Sequence, residues 1–461
     1  MGILSSNRRM FLTGAAAMAV DAALPRRAVA DPVKQLALTA RPAHVRIIGE
    51  SHPPTEVWGY DGRVPGPEIR VRQGEPVRIV VTNDLPQDTT VHWHGIRLPI
   101  EMDGVPGISQ PPIRPGESFV YEFTPPDAGT FWYHPHANSL EQLGRGLAGA
   151  LIVEEPKPLA VDRDLVWVLA DWRLTSAAQI AEGFGNRMEA AMAGRIGNTV
   201  TVNGVISDEV PVRAGERLRL RLINAAVARI MALRFEGHRP VIVAVDGQPC
   251  DPHEPDQGRL LLGPAMRIDV ILDLQGEPGR RYRVIDDFYQ GLEYWLTRLA
   301  YDKQPANRAG AARVPPALPR NPLPEPELAG AERHDVVLQG GMMGGMRLAA
   351  GLWAINGMSA HGDGHHGIPP LLMLRRGQSC VLRIRNETAW WHPMHLHGHS
   401  FRVLSRDGAP VPHRQWADTV LVAPRQNVEV AFVAERVGDW MFHCHVTDHQ
   451  ASGMMTILRI V

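Results

Sequence analysis

Four times in this chain two histidines flank a single residue: His92 and His94, His134 and His136, His395 and His397, His443 and His445. Among 461 residues with 20 histidines, roughly one such pair is expected by chance, so the argument rests on where the pairs fall. Residues i and i+2 of a strand face the same side, so each pair aims two imidazoles one way. Four pairs offer eight. Neutral imidazole suits copper, and eight such ligands can hold three ions with positions left open for dioxygen.

Cys444 lies between His443 and His445, so on a strand its sulfur points to the face opposite their rings. A second site belongs on that side, and further ligands are near at hand. His392 heads His392-Pro393-Met394-His395-Leu396-His397, and His449 and Met454 follow Cys444. Two His, one Cys and a distant Met is the ligand set of a blue-copper electron-transfer site. Pro135 stands in the first half of the chain where Cys444 stands in the last, so a single such site is expected. Two peptide units join Cys444 to the neighbouring histidines, a short covalent route for an electron. A zinc site would not need ten histidines, and Cys250, Cys380 and Cys444 do not form a tetrahedral set. Cys380 reads as a core thiol, and Cys250 as part of a turn-like Gln248-Pro249-Cys250-Asp251. His44, His52, His238, His253 and His334 read as ordinary core or surface residues, and His399 as a structural neighbour of the ligands.

The elements that must position these side chains repeat. The stretch from Gly74 to Asn83 recurs at equal length from Gly215 to Asn224 and from Gly377 to Asn386. An Asp-Gly-x-Pro turn follows each copy, at Asp103, Asp246 and Asp407. Leu or β-branched residues alternating with Arg predict half-buried antiparallel strands entered through a glycine turn. Three copies predict an all-β chain of three Greek-key β-sandwich domains, at 31–157, 158–305 and 333–461. The proline-rich stretch 306–332 predicts an extended, solvated linker. In copies one and three a His pair follows the repeat strand and another ends the closing strand. Phe123, Gly129 and His134 are spaced as Phe432, Gly438 and His443 are. The middle copy has no pair and reads as a metal-free spacer. If the first and third domains meet face to face, eight imidazoles converge between them.

A hydrophobic content of 44%, a charged content of 21% and a net charge of −1 describe a globular chain with nothing to favour nucleic acid or an acidic membrane as partner. Its 44 glycines and 39 prolines suit short strands and turns. Arg8-Arg9, a short apolar run from Met10 to Val20 and a small-residue site at Ala28-Val29-Ala30 predict a twin-arginine signal over residues 1–30. That route implies export of a folded precursor to the periplasm by the twin-arginine machinery. The run is too short to span a bilayer and no other is present, so no stable membrane insertion is expected.

In His92-Trp93-His94-Gly95, His134-Pro135-His136, His392 to Gly398, and His443-Cys444-His445 with His449 and Met454, the chain resembles the three-domain multicopper oxidases, laccases among them. The resemblance covers essentially the whole chain after the signal. It implies three cupredoxin domains and four copper ions. Type 1 copper would lie at His392, Cys444, His449 and Met454, type 2 at His92 and His395, and the type 3 pair at His94, His134, His136, His397, His443 and His445. It also implies that two acidic residues, at the positions of Asp103 and Asp448, supply protons as dioxygen becomes water; Asp448 stands where Glu is common. The reductant expected first is a phenol or aromatic amine. Cu(I) or Mn(II) is the second choice, with Met342, Met343, Met346, His361, His365 and His366 as residues able to handle metal. Metal-free scaffold relatives make a non-catalytic or copper-storing protein a third reading, against which the complete ligand set stands.

Overall fold

The computed structural model describes residues 33–307, 317–342, 351–360 and 367–461. The proposed signal, Met343, Met346, His361, His365 and His366 lie outside the described residues.

The three repeat strands sit at equivalent places in three sandwiches. Val77–Asn83 runs parallel to Lys34–Val45, Arg217–Asn224 to Arg163–Trp172, and Ser379–Asn386 to Glu332–Gly340. Each then pairs antiparallel with a later strand, Ser118–Phe123, Arg267–Asp273 or Asn427–Val433. A second sheet closes every copy. In the first it runs Ile69–Arg72, Gly149–Glu154, Gly129–His134 and His92–His94. In the third it runs Pro370–Leu374, Met455–Ile460, Gly438–Cys444, His392–Leu396 and Thr419–Val422. The fold is all-β, three cupredoxin-like sandwiches in a row.

Alternation does what the pattern predicts in the first repeat. Val77, Ile79 and Val81 point inward, and the residues between them are partly exposed. Each such side chain contributes about 1.5–3 kcal/mol by leaving water. The middle repeat differs. All eight residues of Arg217–Asn224 are buried, arginines included. Arg217 pairs with Asp273, Arg219 with Asp269 and Glu155, and Arg221 with Asp164 and Asp269. Thr130 of the first domain donates to Asp269 (2.6 Å), so this face is an interface between domains and not a solvated one.

Two further expectations change. Cys250 lies within the strand Gln248–His253, buried, and the turn is the preceding Asp246-Gly247, both at positive φ. The stretch before the third domain is not fully solvated. Leu318 is buried beside Val243, Ala244 and Ile271, and Asn321 exchanges hydrogen bonds with the Ala128 backbone. The prolines keep the strand-free chain extended while its side chains fill the seam.

Candidate metal centre

Strand pairing assembles the site two histidines at a time. His92 lies opposite His134, and His395 opposite His443. Trp93, between the first two imidazoles, points the other way into the core of its domain. His134-Pro135-His136 and His443-Cys444-His445 each end a strand, where the chain breaks from the sheet and both rings can reach the neighbouring domain. The first and third domains do meet. His94 stacks on His395 at 3.7 Å between ring centroids, and His92 lies 4.0 Å from His397.

Nitrogen atoms converge in three groups: His92, His94 and His395; His94, His134 and His445; His136, His397 and His443. Within them His134 Nε2 is 3.5 Å from His94 Nδ1, His445 Nε2 is 3.4 Å from His134 Nε2, and His397 Nε2 is 3.0 Å from His443 Nε2. Burial, reinforced by neighbouring imidazoles, holds His94, His134, His397 and His445 well below the usual histidine range, so their lone pairs stay free for a metal.

The hydrogen bond made by one ring nitrogen decides which nitrogen is left for an ion. Nδ1–H donates to a backbone carbonyl from His92 (Asp103 O, 2.7 Å), His134 (Pro135 O, 3.0 Å), His395 (Asp418 O, 2.9 Å) and His443 (Cys444 O, 2.9 Å). His397 Nδ1 donates to Asp103 Oδ2 (2.8 Å). All five present Nε2 to the centre. His94 is reversed: its Nε2 meets Asp418 Oδ1 (3.1 Å) and its Nδ1 faces the group.

On the far side of Cys444 a smaller site forms. Cys444 Sγ lies 3.5 Å from His392 Nδ1 and 3.6 Å from His449 Nδ1, and the two nitrogens are 3.2 Å apart. His392 Nε2 is 2.8 Å from Thr388 Oγ1, and His449 Nε2 donates to Met192 O (2.8 Å). Met454 is buried, its backbone tied to Cys444 and His449. Burial pushes the Cys444 thiol far up, so the thiolate forms only when a metal displaces its proton.

The two predicted acids occupy different surroundings. Asp103 reaches the imidazoles, with Oδ2 on His397 and Oδ1 3.3 Å from His92 Nδ1. Asp448 accepts from Arg195 N (2.8 Å), and burial pushes its carboxyl up to about 6. His399 is structural: Nδ1 donates to His397 O (3.2 Å), and burial lowers it to about 4. Of the methionines singled out, Met342 is described; its carbonyl accepts from Trp390 Nε1 (3.0 Å). Sequence reasoning missed Asp418, Thr419, Thr388 and the Met192 carbonyl. Asp418-Thr419, a carboxylate and hydroxyl inside a histidine-bearing domain, was the one signal available.

Residues 42–158, 163–296 and 350–461 each match a sequence model described as multicopper oxidase. The multicopper oxidase MmcO of Mycobacterium tuberculosis is 31% identical over 492 aligned positions, spanning 97% of this chain and 92% of that protein. The crystal structure of a multicopper oxidase from Pseudomonas thermotolerans superposes with a TM-score of 0.84 at 35% identity, covering 93% of this chain and all of that one (100%). A laccase-like multicopper oxidase from the lignin-degrading bacterium Ochrobactrum sp. superposes at 0.78 with 27% identity, over 93% and 100% of the two chains. The chain belongs to the multicopper oxidase family. It is a copper-dependent oxidoreductase with dioxygen as electron acceptor. The donor set fits that metal. His92 Nε2 and His395 Nε2 are buried ring nitrogens with no hydrogen-bond partner, both within a converging group, and one sulfur with two nitrogens forms the other site.

Proposed function

We propose that the enzyme carries four copper ions and works as a laccase-like oxidase of phenols or aromatic amines, exported to the periplasm by the twin-arginine route. The observation that carries this reading is the set of buried nitrogens from two domains, one residue away from a Cys-His-His site. In it, His392, Cys444, His449 and Met454 hold type 1 copper; His92 and His395 hold type 2. His94, His134 and His445 hold one type 3 ion, and His136, His397 and His443 the other. Copper supplies the one-electron redox chemistry and the binding of dioxygen.

The protein's own contributions follow from its contacts. Cys444 and its flanking histidines form an unbroken covalent path between the two sites. Asp103 holds His397 through Oδ2 and leaves Oδ1, which has no hydrogen-bond partner, beside the imidazoles as an oxygen through which a proton can be relayed. Asp448 serves as the second proton-handling group, its raised carboxyl suiting exchange near neutral pH. Burial of every ring excludes bulk water. Among the described residues no helix is long and apolar enough to cross a membrane.

One observation favours metal ions as a second substrate class. Met188 and Met192 are exposed (58% and 37%) on the segment whose Met192 carbonyl caps His449, and thioether sulfur suits Cu(I). Oxygen uptake by the copper-loaded protein tests the reading, with phenol, Cu(I) and Mn(II) compared side by side. Uptake with phenol that disappears in Cys444→Ser is expected. Turnover of the metals alone overturns the laccase-like assignment, and absence of uptake with all three overturns the oxidase.

A further inference from the structure

Resting on the ligand roles just proposed, we infer that the metal-free second domain determines which nitrogen of His94 meets the metal, through a clamp that Arg267 and Asp246 close on Asp418. The second domain supplies no imidazole, yet Arg267 lies fully buried where all three domains touch. Its Nη1 donates to Asp418 Oδ1 (2.8 Å) and its Nη2 to Asp418 Oδ2 (2.5 Å), the two-pronged pairing that fixes a carboxylate in plane. Its Nε donates to Thr130 O of the first domain (3.2 Å) and Nη1 also to Ala265 O (3.1 Å).

Asp246 holds the same segment from behind. Its Oδ1 accepts from Arg267 N (2.9 Å), and its Oδ2 from the backbone N–H groups of Asp418 (3.2 Å) and Thr419 (3.0 Å). The repeat aspartate of the middle copy thus fastens third-domain backbone, where its counterpart Asp103 touches ligands directly. With main chain and carboxylate both fixed, Asp418 Oδ1 has one place to be, 3.1 Å from His94 Nε2. Thr419 Oγ1, 3.2 Å from His94 Nε2, donates its hydrogen to Asp418 Oδ1 (2.8 Å), so toward the ring it can only accept, as the carboxylate does, and both neighbours of Nε2 require an N–H there. The Nε2–H form of His94 is thereby selected, and Nδ1 is left for the ion.

The first domain makes room for the clamp. Gly95, directly after His94, sits at φ +88°, and a Cβ there would stand 2.3 Å from Arg267 Nη2 and 2.5 Å from Asp418 Oδ2. Five other rings at this centre are oriented by carbonyls of their own strands and turns or by Asp103. His397 and His94 are the two of those six oriented by a carboxylate of another domain, and of these two carboxylates Asp418 is the one that second-domain residues hold in place. Arg267 and Asp246 act through Asp418 and are positioning residues.

The test compares copper-loaded wild type with Arg267→Ala, Arg267→Lys and Asp246→Asn, and with Arg217→Ala as control. Arg217 makes a similar two-pronged bond to Asp273, within the second domain and at the opposite end of the Arg267–Asp273 strand. Bound copper is measured during titration with a chelator, alongside the near-ultraviolet absorption of the type 3 pair and the blue absorption of the type 1 site. Arg267→Ala is expected to release type 3 copper at about 10–100-fold lower chelator concentration, while blue absorption persists and reports an intact third domain. Arg267→Lys, a point charge in place of a planar fork, is expected to fall between Ala and wild type. If Arg267→Ala fails to fold, Asp246→Asn, which retains the guanidinium pair, carries the test with a smaller shift of the same sign. Full retention of type 3 copper in both Arg267→Ala and Asp246→Asn, or equal loss in Arg217→Ala, overturns the inference. Wild type unable to bind copper would instead overturn the ligand roles on which it rests.

Discussion

At the scale of single residues, the site is decided by what each imidazole does with its second nitrogen. Strand geometry, which makes i and i+2 neighbours on one face, singled out the eight paired histidines and set Cys444 opposite them, while nearness in sequence and the ligand set of a blue-copper site singled out His392, His449 and Met454. Their orienting partners left no comparable trace. Met192 acts through its carbonyl, which any residue would supply, and Thr388, Asp418 and Thr419 are ordinary strand-end residues until the chain folds. Asp103 was legible through the family resemblance, since by sequence alone it is one of three equivalent turn aspartates, and its two contacts support a sharp expectation. Asp103→Asn keeps an oxygen for His397 Nδ1–H but removes a group that can carry a proton. Copper content should be unchanged and oxygen uptake slower by about 10²–10⁴-fold. Wild-type turnover in Asp103→Asn would show that its role is hydrogen bonding alone.

Strands and turns translate those residues into a shared face. A slip of one residue between His92–His94 and Gly129–His134 would turn every imidazole of that pair into the core, so the hydrophobic alternation that fixes register also fixes the site. That alternation was readable in Val77–Asn83 and misleading in Arg217–Asn224. The arginines there look solvent-facing in one dimension, and only the distant Asp164, Asp269 and Asp273 bury them. The three Asp-Gly turns likewise share a sequence but not a shape: Asp246 and Asp407 have positive φ, at 48° and 49°, whereas Asp103 is right-handed, at φ −71°. This difference makes Gly104 special. It sits at φ +79°, and a Cβ would lie 1.9 Å from Val91 O, backbone that cannot yield without moving His92. Gly74 has the same φ, +79°, with open space around it. Gly74→Ala should cost about 1–2 kcal/mol, the price of the left-handed conformation. Gly104→Ala should lower the thermal midpoint further and weaken copper retention as well. Equal midpoints for the two variants would refute the claim that this turn is pressed against the ligand strand.

Across the whole molecule, the first and third domains share one cluster of buried imidazoles, and the second joins them through buried guanidinium groups. Three sandwiches were legible because a repeat of this length cannot be missed once its glycine, asparagine and Asp-Gly turn are aligned. How they dock was not, since contacts such as Arg267 with Asp418 join positions far apart in the chain. The docking predicts how the molecule responds to losing its metal. An ion bound by imidazoles from two domains stabilises their contact by mass action, by about 4 kcal/mol when copper stands at a thousandfold its dissociation constant. Removing it leaves the second domain's ion pairs untouched. Copper-free protein should therefore unfold at a lower temperature, and the loss should be local. Amide exchange should accelerate at His92–His94 and His392–Leu396 and stay slow at Arg217–Asn224, whose strand is buried along its full length. Uniform acceleration across all three domains would mean that the chain opens as one unit and that copper does not act at the seam between the outer two.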